Sequence, residues 1–154
     1  MSPDDVGTRI LIVDDEPRIG SALARAMHLM GYSAEVAGSG QEALALLGCR
    51  PYDVMVLDIF MPGMDGIEVM RHARPLCPEL AIIVLTGRAT LESAIAALKS
   101  EAVDYLLKPV TIGELATAVM QALQRRDERL RRQRLMRAMT EALETMRQTE
   151  TPSV

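Results

Sequence analysis

Val54-Met55-Val56-Leu57-Asp58 sets four apolar residues directly before a carboxylate. Two distant stretches also end an apolar run in charge, one in carboxylates and one in a lysine: Ile10-Leu11-Ile12-Val13-Asp14-Asp15-Glu16 and Tyr105-Leu106-Leu107-Lys108-Pro109. Each short apolar run reads as a strand buried on both faces, the pattern of a parallel sheet covered by helices. In open parallel sheets ligands gather beyond the carboxyl ends of the strands. The charges that end the three runs are therefore expected at one edge.

The residues between these runs supply the helices. Pro17 opens a helix with Ile19, Ala22, Leu23, Ala26, Met27 and Met30 on one face, and Gly31 ends it. A short second strand is expected over 33–36. Ser39 and Glu42 then form a capping box ahead of Ala43, Leu44 and Leu47, with Gly48 closing that helix. After Asp58 the loop Pro62-Gly63-Met64-Asp65-Gly66 leads into a helix carrying Ile67, Met70 and Arg71 as far as Pro75, with Asp65 and Gly66 capping and admitting it. A fourth strand over 81–85 ends at Thr86, a fourth helix covers 91–99, and a fifth strand covers 103–107. Thr111 and Glu114 cap the last helix. Alternation of this kind implies an α/β fold, a doubly wound five-stranded parallel sheet with right-handed crossovers and helices on both faces. The flavodoxin-like order 2-1-3-4-5 puts the first and third strands side by side, and with them Asp14, Asp15 and Asp58.

Charge decides what that edge can hold. Two carboxylates about 4 Å apart repel by roughly 4 kcal/mol at an effective dielectric near 20. An ionised trio needs a cation, and oxygen-only ligation without His or Cys suits a hard ion such as Mg2+. Lys108 adds a point charge matched to a phosphoryl oxygen.

Asp14-Asp15, the stretch Asp58-Ile59-Phe60-Met61-Pro62-Gly63-Met64-Asp65-Gly66, Thr86-Gly87 and Lys108-Pro109 together resemble the receiver domain of two-component response regulators, the CheY-like superfamily. The resemblance runs from about Arg9 to Arg125. It implies that Asp58 is the phosphoacceptor, that Asp14 and Asp15 arrange Mg2+ with Asp58, and that the backbone carbonyl of Phe60 completes the protein ligands. It also implies that Thr86 and Lys108 contact the phosphoryl group and that Tyr105 turns inward when Thr86 moves. The implied reaction is transfer from the phosphohistidine of a sensor histidine kinase or phosphotransfer protein, in a regulatory phosphoacceptor rather than an enzyme. The implied output is a face of the fourth helix, fifth strand and fifth helix.

Each residue taken alone also has a plainer reading. Asp14 or Asp15 caps the first helix, Thr86 caps a turn, and Tyr105 is a half-buried strand aromatic. Lys108 is a solvated strand end, unless the Lys-Pro bond is cis and aims the ammonium back into the site. Asp58 resists such a reading, because an unpartnered carboxylate after four apolar residues carries a desolvation cost. A phosphatase with an aspartyl nucleophile of the haloacid type would need a second Asp where Phe60 stands. One departure from the receiver pattern stands out. Glu101 occupies a position where many receivers have Gly, and a left-handed turn strained for Glu points to another loop conformation there. Phe60 and Arg88 flank the expected path of hydrolytic water.

A length of 154 residues, 49% of them hydrophobic, suits one packed domain with an appendage. The division expected is a tail over 1–8, a receiver over 9–126, a helical extension over 127–148 and a disordered tail over 149–154. Cys49 and Cys77 read as reduced thiols near helix ends. No run approaches a membrane span and 1–8 lacks the regions of a signal peptide, so a cytoplasmic protein is expected. The net charge of −4 argues against a chain coated by nucleic acid.

From Ile112 the helical pattern continues with no Pro or Gly between Gly113 and Pro152. A helix to about residue 148 would be roughly 55 Å long at 1.5 Å per residue. Leu123, Leu130, Leu135, Met139, Ala142 and Met146 form a coiled-coil candidate with a stutter between Leu130 and Leu135. That stripe implies a homodimer through the C-terminal helix. Arg125, Arg126, Arg129, Arg131, Arg132, Arg134 and Arg137 surround the break as a solvated face, or as a surface for an anionic partner. The competing function is accordingly a basic helical adaptor in which the receiver is a scaffold. Too few residues follow Arg126 for a helix-turn-helix domain, and the downstream effector is left open.

Overall fold

The computed structural model describes residues 7–150. Among them five strands alternate with five helices: β1 (Arg9–Val13), α1 (Pro17–Leu29), β2 (Ser33–Ala37), α2 (Gly40–Cys49), β3 (Val54–Leu57), α3 (Gly66–Leu76), β4 (Ala81–Thr86), α4 (Leu91–Lys99), β5 (Asp104–Leu107) and α5 (Ile112–Thr149). The strands form one parallel sheet in the order β2-β1-β3-β4-β5, as expected from the alternation. The tails expected at 1–8 and 149–154 fall mainly on 1–6 and 151–154, which lie outside the described residues. The chain divides into two compact units, Met1–Leu123 and Gln124–Val154.

In the first unit, the two-residue period of the strands splits the core into two layers. Leu11, Val13, Met55, Leu57, Ile82 and Val84 pack with residues of α2, α3 and α4 on one face. Ile10, Ile12, Val54, Val56, Ile83 and Leu85 pack with residues of α1 and α5 on the other. All six residues of β4 are buried. A fully buried aliphatic side chain of this kind contributes about 1.5–3 kcal/mol relative to exposure, so the sheet interior dominates the stability of this unit.

Three local expectations are corrected. The inward side of α1 keeps Leu23, Ala26 and Met27 of the expected stripe and adds Gly20 and Ala24, while Ala22 and Met30 are exposed. The helix is turned because Gly20 presents no side chain to Val36: a Cβ there would lie 2.7 Å from Val36 Cγ1. Gly48 lies inside α2, which runs on to Cys49 and is capped by the Arg50 N–H on Leu46 O. Glu101 takes the left-handed conformation after all, with φ 56°. It does so because α4 closes on two bonds, Glu101 N–H to Leu98 O at 3.1 Å and Ala102 N–H to Ala97 O at 2.9 Å. That is the Schellman pattern, which places its C′ residue in the left-handed region. The same pair of bonds closes α1 through Gly31 and Tyr32, where Gly31 has φ 90°.

In the second unit α5 passes without interruption through the gap between Leu130 and Leu135. Every residue from Arg131 to Glu150 is exposed. Leu123, expected to begin the exposed stripe, is instead the last residue of the first unit and packs against that unit's own core. Cys49 and Cys77 are free thiols. Among the described residues no helix is long and apolar enough to cross a membrane.

Candidate functional site

β1 and β3 are adjacent and in register, Val13 opposite Leu57. The ladder extends one residue further, with the Asp58 N–H donating to Val13 O at 2.9 Å and the Asp14 N–H to Ala37 O at 3.1 Å. Backbone pairing therefore carries both carboxylates to the sheet edge at the same level. Asp14 and Asp58 are 2% and 8% exposed. With Asp15 they form a group in which one carboxylate oxygen from each residue lies within 4.8 Å of the others.

Lys108 arrives from β5, its N–H donating to Thr86 O at 2.8 Å. The Lys108–Pro109 peptide bond is cis. The Lys108 ammonium donates to Asp14 Oδ2 at 2.6 Å and to Asp58 Oδ2 at 3.1 Å. The second oxygens are engaged locally: Asp14 Oδ1 accepts from the Glu16 N–H at 2.9 Å and Asp58 Oδ1 from the Phe60 N–H at 3.3 Å. Burial pulls the Lys108 ammonium down, but hydrogen bonds and charge from Asp14 and Asp58 outweigh it and hold the group above the usual lysine value. Three carboxylates and one ammonium leave two negative charges, and a divalent cation with oxygen preference balances them. The donor set fits such an ion.

Gly66 brings α3 against this edge. Its N–H donates to Ile59 O at 2.8 Å. A Cβ at Gly66 would lie 2.4 Å from the Asp58 carbonyl oxygen and 2.7 Å from Ile59 Cα. Asp65 caps the helix by accepting from the Glu68 N–H at 3.0 Å.

Asp14, Asp15, Asp58 and Lys108 are thus gathered in one place, with the Phe60 main chain beside Asp58. Thr86 and Tyr105 are placed differently. Thr86 is buried at the end of β4, and its hydroxyl accepts from the Arg88 N–H at 3.3 Å and donates to Arg88 O at 3.4 Å, the turn-capping role it has when read alone. Tyr105 is half-buried against the core, and its hydroxyl lies 2.6 Å from Ser93 Oγ. Ser93 is 0% exposed and forms a capping box with Thr90 at the start of α4. The Thr90-x-x-Ser93 spacing carried that signal, and sequence reading passed over it. Phe60 and Arg88, paired only as flanks of a water path, are in contact: the Arg88 guanidinium carbon sits 5.6 Å from the Phe60 ring centroid, within cation–π range.

Residues 10–120 match the response regulator receiver domain family. Response regulator MprA of Mycolicibacterium vanbaalenii is 44% identical over 118 residues, covering 77% of this chain and 51% of that protein. MprA of Mycobacterium bovis is 42% identical over 121 residues, with 79% and 52% covered. The chain spans about half the length of these curated relatives. A CheY-like receiver from Methanospirillum hungatei superposes with TM-score 0.78 at 31% identity, over 79% of this chain and 98% of that one. Response regulator TrrA from Thermotoga maritima, solved in complex with Mg(2+)-BeF, superposes with TM-score 0.69 at 35% identity, over 75% and 99%. Strand order, the acidic edge and these likenesses agree, and the chain belongs to the response regulator receiver domain family, the regulatory receiver of two-component signalling.

Proposed function

We propose that Asp58 is the phosphoacceptor of this receiver and that the phosphoryl group comes from the phosphohistidine of a sensor histidine kinase or phosphotransfer protein in the cytoplasm. The observation that carries this reading is the convergence of Asp14, Asp15 and Asp58 with Lys108 between them. An Asp58 carboxylate oxygen attacks phosphorus, the O–P bond forms as the N–P bond to imidazole breaks, and the imidazole leaves and takes up a proton. Positioning and charge carry this transfer, so no dedicated general base is required. Lys108 donates to both carboxylates and offers its third ammonium hydrogen to a phosphoryl oxygen. Asp14, Asp15, Asp58 and the Phe60 carbonyl would hold Mg2+, which when bound neutralises the charge of the transferred group. The Thermotoga maritima relative, solved with Mg(2+)-BeF, supports that choice of ion.

Once Asp58 carries the phosphoryl group, new acceptor oxygens compete for the Thr86 hydroxyl, whose bonds to Arg88 at 3.3 and 3.4 Å are long and replaceable. Tyr105 stands next on this path and passes the change to the face of α4, β5 and the first turns of α5. Incubation with acetyl phosphate and Mg2+, read by intact-mass spectrometry, tests the assignment. The expected result is one added phosphoryl group, absent in Asp58→Asn. Equal labelling of the Asn variant would move the acceptor elsewhere. Asp15→Ala is expected to keep a native circular dichroism spectrum and bind Mg2+ more weakly, and unchanged affinity would remove Asp15 from the metal site.

A further inference from the structure

Along the second half of α5, six exposed residues recur at spacings of four, three, four, three and four: Arg132, Met136, Met139, Leu143, Met146 and Glu150. That alternation keeps them on one side of the helix and is the a/d seam of a coiled coil. The four apolar members are 54–61% exposed. The helical bond pattern reaches the last member, with the Glu150 N–H donating to Met146 O at 3.1 Å. The stripe first read from the sequence, through Leu135 and Ala142, flanks this line. Met136 and Leu143 make a seam of large side chains where that stripe had Ala142.

A seam of large apolar side chains bounded by one cation and one anion specifies its own partner. We propose that it is covered by the same segment of a second copy of this chain, running antiparallel. In antiparallel packing each a residue layers against a d residue of the other helix. One alignment then places Met136 on the partner's Met146, Met139 on the partner's Leu143, and Arg132 on the partner's Glu150, closing both ends with opposite charges. A parallel pair in register sets Arg132 against Arg132 and Glu150 against Glu150, like charges at both ends. The wider charge distribution favours the same choice. Residues 125–137 hold seven arginines against two acids, whereas 138–150 hold three glutamates against one arginine. Antiparallel pairing in this alignment lays 132–137 along the partner's 145–150 and keeps the remaining arginines of 125–131 apart from their counterparts rather than side by side. Four apolar layers form a short interface, so association depends on protein concentration.

Sedimentation equilibrium on the full, unphosphorylated chain tests this across a concentration series. Wild type is expected to form a dimer. Glu150→Arg places two arginines in each terminal layer and is expected to raise the dissociation constant about tenfold. The double variant Arg132→Glu with Glu150→Arg restores opposite charges and is expected to return close to wild type. In a parallel pair, Glu150→Arg merely exchanges one like-charge layer for another and changes little. A chain that stays monomeric at high micromolar concentration, a dimer indifferent to Glu150→Arg, or a double variant no tighter than the single one each overturns the proposal.

Discussion

The Lys108 ammonium donates to Asp14 Oδ2 at 2.6 Å, joining residues 94 positions apart in the chain. The same nitrogen reaches Asp58 Oδ2 at 3.1 Å. One cation thus offsets two carboxylates that the strand ends bury almost completely.

Removing that cation leaves the pair uncompensated. Lys108→Met is expected to lose about 1–3 kcal/mol in urea unfolding at neutral pH with EDTA present. Because Lys108 is held above its ordinary value when folded, its contribution is fully present below about pH 10.4, the unfolded value, and is lost as pH rises from there through the folded value. Wild-type stability should therefore fall more steeply than that of Lys108→Met in this alkaline window. Parallel pH profiles for the two proteins would contradict the assignment.

Gly66→Ala inserts a methyl group 2.4 Å from the Asp58 carbonyl oxygen, against backbone that cannot rotate away. A loss of about 1–3 kcal/mol is expected, together with slower acetyl phosphate labelling, since the displaced peptide carries Asp58. Gly48→Ala serves as control. That position lies in α2 with open space around it and should gain about 0.5–1 kcal/mol from helix propensity. A Gly66→Ala protein as stable as wild type would mean that α3 does not depend on this close approach.

Glu101 holds at φ 56° the place that Gly31 holds at φ 90° in the equivalent helix ending. Glu101→Gly relieves the steric cost of a Cβ in that conformation. The expected gain is about 1 kcal/mol, measured as a higher urea midpoint with unchanged slope. A neutral or destabilising result would show that the Glu side chain compensates for its backbone.

The 2.6 Å contact between Tyr105 Oη and Ser93 Oγ ties β5 to the first turn of α4. A double-mutant cycle with Ser93→Ala and Tyr105→Phe is expected to give a coupling of about 1 kcal/mol. Additive effects would mean that the two hydroxyls do not support one another.

Strand identity and order were legible in the sequence, because a run such as Ala81–Thr86 has no exposed position and only a strand covered on both faces buries every residue. The acidic edge followed from that, since Asp14 and Asp58 each stand one residue beyond a strand end and adjacent parallel strands finish together. Helical periodicity, by contrast, names apolar residues but not the rotation of the helix about its axis. Only the Val36 methyl group seated over Gly20 decides that Ala24 turns inward and Ala22 outward. Glu101 was misjudged for a related reason. Intrinsic preference argued against a left-handed Glu, and two hydrogen bonds at the end of α4 outweigh it. The turn cap of Thr86 was legible, since Arg88 lies two residues on, but the bond of the Tyr105 hydroxyl was beyond reach for want of a partner in its own segment. A side chain with several open rotamers takes the one its neighbours satisfy, and for Tyr105 that neighbour, Ser93, is brought close by the packing of α4 on β5. The sequence alone determined which residues end at the sheet edge, because each apolar run and the charge that closes it are local features of the chain. The tertiary structure alone decided which atoms bond there, because Lys108 meets Asp14 only after four intervening strand and helix crossings have closed the sheet.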